Sequence, residues 1–207
     1  MKYPPQLLTT LAITTAILFS SNACMSRQGP PERDFDQTEA YQIVHDGFYD
    51  NLEHMENFPG FDLRQFSRSD CEHPDGSSTG FVRMEITYVF SSEDSDTELV
   101  RDDYFEALKE AWDDAGYDVH RDDVRAGGER KNLEARRDDG VNYWDRVWDR
   151  VALTIQSGCV RETDIDDQYI PPIGDVSPRD DQMRKFKDSD DGPTDDESEE
   201  AINPFAN

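Results

Sequence analysis

Apolar positions recur along this chain with two periods, and the switches between them outline its elements. Tyr41, Val44, Phe48, Leu52 and Met55 stand at helical spacing and form one apolar face. Asp36-Gln37-Thr38-Glu39 in front of them reads as a capping box, a short acceptor followed three residues later by a Glu that bonds back. Asn57-Phe58-Pro59-Gly60 ends that helix. Residues 61–80 carry no period and read as a loop. From Phe81 to Phe90 the pattern alternates, with Val82, Met84, Ile86, Tyr88 and Phe90 on one face and Arg83, Glu85 and Thr87 on the other, which predicts a half-buried strand. After a polar turn, Ser95-Asp96-Thr97-Glu98 reads as a second capping box. It opens a helix from Glu98 to Ala115 that buries Phe105, Leu108, Trp112 and Ala115, and Gly116 supplies a left-handed stop.

Three more strands follow from alternation. They are Tyr117 to Val124 with Tyr117 and Val119 inward, Lys131 to Arg137 with Leu133 and Ala135 inward, and Arg146 to Ser157, the longest, with Val147, Val151, Leu153 and Ile155 on one face. Ala126-Gly127-Gly128 and Asp138-Asp139-Gly140 are the turns between them. The pattern predicts an α+β two-layer sandwich over residues 36–172, an antiparallel-rich sheet of about four strands with helices on one face. Pro171-Pro172-Ile173-Gly174 suits an extended course along the domain. Beyond Lys187 no Lys or Arg occurs, and residues 173–207 are expected to form a disordered acidic tail, with too little apolar area to offset ordering entropy.

The first residues follow a different logic. Lys2 precedes an uncharged run of 13 residues, Leu7 to Phe19, and Ser20-Ser21-Asn22-Ala23-Cys24 follows. A charged start, an apolar middle and a small-residue cut site make a secretory signal peptide over residues 1–23. The run is shorter than the roughly 20 apolar residues a membrane-spanning helix needs. Ser21-x-Ala23 suits an ordinary secretory peptidase. A cut before Cys24 resembles a bacterial lipoprotein signal, although Ser21 stands where an aliphatic residue is usual. The three cysteines, Cys24, Cys71 and Cys159, leave one even pair if Cys24 takes lipid. A diacylglyceryl group carries two palmitate-type chains, enough for stable anchoring. The expected location is therefore the extracytoplasmic face of the cell membrane, with residues 24–35 as tether; free secretion is the alternative.

Charge narrows the partners. The chain carries 47 Asp and Glu against 21 Lys and Arg, a net charge of −26. Such a surface repels nucleic acid and bare anionic lipid head groups, so no nucleic-acid partner is expected. Its Asp-Asp pairs, Asp102-Asp103 among them, read as a solvated surface, because adjacent residues point apart on helices and strands. Asp94-x-Asp96-x-Glu98 opens like a calcium loop, but Leu99 stands where that loop needs Gly. His45 and His54 are nine residues apart, on opposite sides of their helix. Nucleophile-elbow, zinc-protease and phosphate-loop motifs are absent from the sequence. No catalytic residue, cofactor or metal is therefore assigned.

Cys71 and Cys159 flank the sheet region and, in an oxidising compartment, are expected to form a disulfide. The order Cys71, an alternating strand, Ala111-x-x-x-Ala115-Gly116-Tyr117, then Ala152-Leu153-Thr154-Ile155-Gln156-Ser157-Gly158-Cys159 and Pro171-Pro172 resembles the actinobacterial LppA-like lipoproteins. That resemblance implies a lipid-anchored ectodomain with paired cysteines, and no activity. Tyr143, Trp144 and Trp148 form a possible binding patch. Trp144 and Trp148 share a parity opposite to Val151, Leu153 and Ile155, so the aromatics either face outward or lie under the first helix. The expected function is a binding module for an envelope protein, glycan or lipid; an envelope enzyme or ligand carrier with a pocket between sheet and helix is the alternative.

Overall fold

The computed structural model describes residues 33–163 and 169–184. The expected signal peptide, Cys24, most of the expected tether and the expected tail beyond residue 184 lie outside the described residues. The described chain begins with helix α1 (Gln37–Leu52), then strands β1 (Leu63–Glu72) and β2 (Ser78–Val89). A helical crossover follows, made of α2 (Ser92–Ser95), a π-helical turn (Leu99–Asp103) and α3 (Tyr104–Asp114). Strands β3 (Asp118–Arg125), β4 (Arg130–Arg136), β5 (Asn142–Val147) and β6 (Val151–Arg161) complete it. All pairings are antiparallel in one sheet of six strands, ordered β1-β2-β6-β5-β4-β3. The hairpin β1–β2 and the meander β3–β6 meet at β2–β6. The crossover must therefore carry the chain from the β1–β2 side to the far edge, and its helices cover one face of the sheet on the way.

The α+β class and the antiparallel sheet agree with the sequence pattern, but there are six strands where about four were expected. Residues 61–80 are not a loop. Their inward positions in β1 are Arg64, Phe66 and Arg68, too polar to show an alternation. The stretch from Arg146 to Ser157 is two strands, turned at Trp148–Arg150 with Val147 opposite Val151. That turn contains neither Gly nor Pro nor Asn.

Local capping explains the helix ends. Asp36 accepts from the amides of Thr38 and Glu39, and Glu39 accepts from the amide of Asp36, which completes the expected box. The second expected box does not form. Ser95 is fully buried, and its hydroxyl accepts from the amide of Val151 at 3.0 Å, tying the crossover to β6. Ser91 caps α2 instead, and Thr97 accepts from Val100 ahead of the π-helical turn. Gly116 takes φ +75°, the left-handed stop after α3, while Ala115 is exposed rather than buried.

The interval between the layers is filled. Phe48, Tyr88, Phe90, Phe105, Leu108, Leu133, Tyr143 and Ile155 are each at most 1% exposed. Gly47 lets α1 approach this closely. A Cβ there would lie 3.0 Å from the Tyr143 hydroxyl and 3.1 Å from Ile155 Cδ1. Gly in a helix costs up to about 1 kcal/mol, so the close approach is what it supplies in return. Trp112 of α3 donates to Asn51 of α1 at 2.6 Å and joins the two helices.

The domain does not end at residue 172. Ile173, Val176, Asp181 and Met183 are buried, so residues 173–184, expected to belong to the tail, form a strap on the domain. Its anchor is Arg64 of β1. The guanidinium makes two 2.8 Å bonds to Asp181, with both side chains fully buried, and donates to the Ile170 carbonyl at 2.9 Å. Tyr169 donates to Asp181 at 2.6 Å, and Tyr88 accepts from the Ile173 amide at 3.0 Å.

Candidate functional site

The sheet has a helix-covered face and an open one, and its register decides which side chains reach each. Tyr143, Trp144 and Trp148 do not form one patch. Tyr143 points under the helices, 5.7 Å from the Trp112 ring and 5.3 Å from that of Tyr117, at 1% exposure. Burial raises its hydroxyl above the ordinary tyrosine value, while Arg137, which donates to it at 3.3 Å, works in the other direction. Trp144 lies on the opposite, open face. Trp148 sits in the β5–β6 turn, with the Arg130 guanidinium 5.9 Å from its ring centre. The expected opposition between Trp144 and the Val151, Leu153, Ile155 face holds; the grouping with Tyr143 fails because adjacent strand residues point to opposite faces.

Cross-strand rows build the open face. One runs Gln65, Thr87, Thr154, Trp144, Glu134, Arg121. The next runs Ser67, Glu85, Gln156, Asn142, Arg136, Asp118. Neighbours bond along these rows: Thr87 with Thr154 at 2.8 Å, Gln156 to Glu85 at 2.7 Å, Arg136 to Asn142 at 2.8 Å and Arg121 to Glu134 at 2.7 Å. Trp144 stands partly exposed near the centre. At one end a cleft of about 530 Å³ opens, lined by Arg33, Arg83, Arg136, Asn142, Gln156 and Asp138 among others.

Cys71 and Cys159 are bonded, with Cα atoms 6.2 Å apart. The disulfide reaches over β2 on the open face, since Cys71 pairs with Phe81 and Cys159 with Arg83, alternate to buried Val82 and Met84. It closes a loop with a sequence separation of 88. The chain-entropy model puts such a bridge at roughly 4–5 kcal/mol.

Two buried carboxyl groups were not foreseen from the sequence. Asp145 of β5 is 2% exposed on the helix-facing side, and its Oδ2 has no hydrogen-bond partner. Burial lifts its carboxyl to about 7, against the pull of nearby Lys131. Lys131 itself bonds Asp102 at 2.5 Å and lies 4.9 Å from the Phe105 ring centre. The signal was available, because Asp145 shares parity with Tyr143 and Val147. Asp181 is the second. Burial raises its carboxyl, but bonds from Arg64 and Tyr169 outweigh this and hold it below the ordinary carboxylate range. His45 is buried with Nε2 3.4 Å from the Pro171 carbonyl, and burial lowers its pKa; His54 is exposed in the turn beyond the end of α1 rather than on the opposite side of the helix. Among the described residues no group of three His, Cys, Asp or Glu could hold a metal ion. No helix among them is long and apolar enough to cross a membrane.

No family model matches the chain, and no curated protein matches it. Among solved structures, a DUF4853-family protein from Actinomyces odontolyticus is similar, with 15% identity, covering 65% of this chain and 72% of that one, at a TM-score of 0.35. So low a TM-score carries no argument about this chain.

Proposed function

We propose that this chain is an extracytoplasmic lipoprotein, held to the cell membrane by acyl chains on Cys24, and that its domain is a non-catalytic binding module of the cell envelope. The observation that carries the reading is the Cys71–Cys159 disulfide. It suits an oxidising compartment, and it leaves Cys24 as the odd thiol directly after a signal-peptide pattern. The resemblance of residues 71–172 to the LppA-like lipoproteins points the same way; it rests on its short motifs, and no family model adds to it. Between module and carrier, the filled interval between sheet and helices favours the module, since a carrier needs a cavity there.

Mass spectrometry of the N-terminal peptide, taken from the membrane fraction of the producing cell, tests the anchor. A peptide beginning at Cys24 with acyl mass on it is expected. An unmodified Cys24 in the culture medium would replace the reading with free secretion.

A further inference from the structure

We infer that the open face of the sheet binds an anionic polysaccharide, its acidic groups paired by arginines and its sugar rings laid on Trp144. The inference rests on the reading of the domain as an envelope binding module and names that module's site and ligand class.

Charge is the first argument. By register, Arg83, Arg121, Arg125, Arg130, Arg136 and Arg146 share this face with only four strand carboxylates, Glu85, Asp118, Asp123 and Glu134. The whole chain has 47 acids to 21 bases, so the strands of one face reverse the balance of the molecule. The helix layer keeps it: α1 holds Glu39, Asp46 and Asp50 and no Lys or Arg. At physiological salt the screening length is about 8 Å, so a ligand held on this face meets its arginines more strongly than the distant acids.

The arrangement also costs the fold something. Arg125 stands directly opposite Arg130, and like charges in that position destabilise a sheet. Arginines spread from β2 to β3 span four strand spacings, about 19 Å, wider than a small anion and suited to an extended chain with several charges. Large exposed apolar side chains are limited, among the described residues, to Tyr49 and Val124. Trp144 at the centre is therefore not part of a broad apolar patch of the kind a homodimer interface or a membrane-inserting surface presents. The cleft at the end of the face is lined by Asn142 and Gln156 together with Asp34, Asp138 and Asp139. These groups accept from or donate to hydroxyls, which a polysaccharide carries and a bare anion does not.

The test titrates the full chain, in detergent at physiological salt, with polygalacturonate, with neutral dextran, and with phosphatidylglycerol vesicles. Polygalacturonate is expected to bind and dextran not to. The paired variant Arg83→Gln/Arg136→Gln should weaken that binding about tenfold or more, a loss of about 1.4 kcal/mol or more. Arg121→Gln/Arg146→Gln should weaken it as well, and Lys109→Gln on α3 should leave it unchanged; melting curves identify any variant that fails to fold. No binding of polygalacturonate, equal binding of dextran, unaltered binding by folded arginine variants, or binding of the vesicles alone would each overturn the inference. These outcomes are independent of the mass of the N-terminal peptide, so an unlipidated Cys24 would leave the site standing and a failed titration would leave the anchor standing.

Discussion

The two faces of one sheet have divided the work between them. Toward the helices, Tyr143 and Leu153 are closed off from solvent, and a buried carboxyl, Asp145, sits among them without a full set of partners. One residue along the same strand, Trp144 faces the other way, into a lattice of short polar bonds with Glu134, Arg121 and Gln156 nearby. The first face is organised by removing apolar area from water. The second gains little from its ion pairs, since solvent-exposed pairs contribute at most about 1 kcal/mol each. A face so rich in charge, whose exposed ion pairs contribute so little to stability, is where recognition can be placed at small cost to the fold.

Breaking the disulfide is the largest test, because it is the open face's one covalent contribution. Replacing Cys71 and Cys159 by Ser should lower unfolding free energy by roughly 4–5 kcal/mol, read by urea denaturation. Arg64→Ala comes next. It leaves Asp181 buried without its partner, and a loss of about 3–5 kcal/mol is expected, with release of the strap seen as new amide exchange over residues 169–184.

Asp145→Asn should act in the opposite direction, and only at higher pH. Its folded pKa, about 7, lies above that of the unfolded chain, near 4. The folded state therefore holds the proton more tightly. The stability this brings is full below about pH 4 and is lost as pH rises through about 7. The Asn variant should be more stable than the parent by about 2–4 kcal/mol at pH 8 and nearly equal to it at about pH 3. Asp181 has the reverse sign. Its folded pKa is depressed, so its contribution is present above about pH 4 and falls away as the medium is acidified through the folded value. Smallest of all, Arg121→Gln on the open face, which removes partly exposed pairs with Asp123 and Glu134, should shift stability by no more than about 1 kcal/mol while weakening polygalacturonate binding.

How much of this was legible in the sequence depended on how local the cause was. The capping box at Asp36, the alternation Val82–Phe90 and the stop at Gly116 are each decided within a few residues, and each stands where the pattern placed it. Strand β1 was not legible, because its inward Arg64 is satisfied by Asp181, 117 residues away. The strap was missed for the same reason, since Ile173, Val176 and Met183 find their burial on a sheet formed earlier in the chain. The second capping box failed because Ser95 serves Val151 across 56 residues rather than its own helix. The open face was legible one parity at a time but not as a surface. Its arginines come from β2, β3, β4 and β5, and only strand order sets them side by side.

The division between the faces is tested most directly by urea unfolding of Tyr143→Ala and Trp144→Ala measured side by side. Tyr143→Ala is expected to cost about 3–5 kcal/mol, as for other buried aromatics, and Trp144→Ala about 1 kcal/mol or less with an intact fold. Similar losses for the two neighbours would contradict the account, because both faces would then be carrying the stability of the domain.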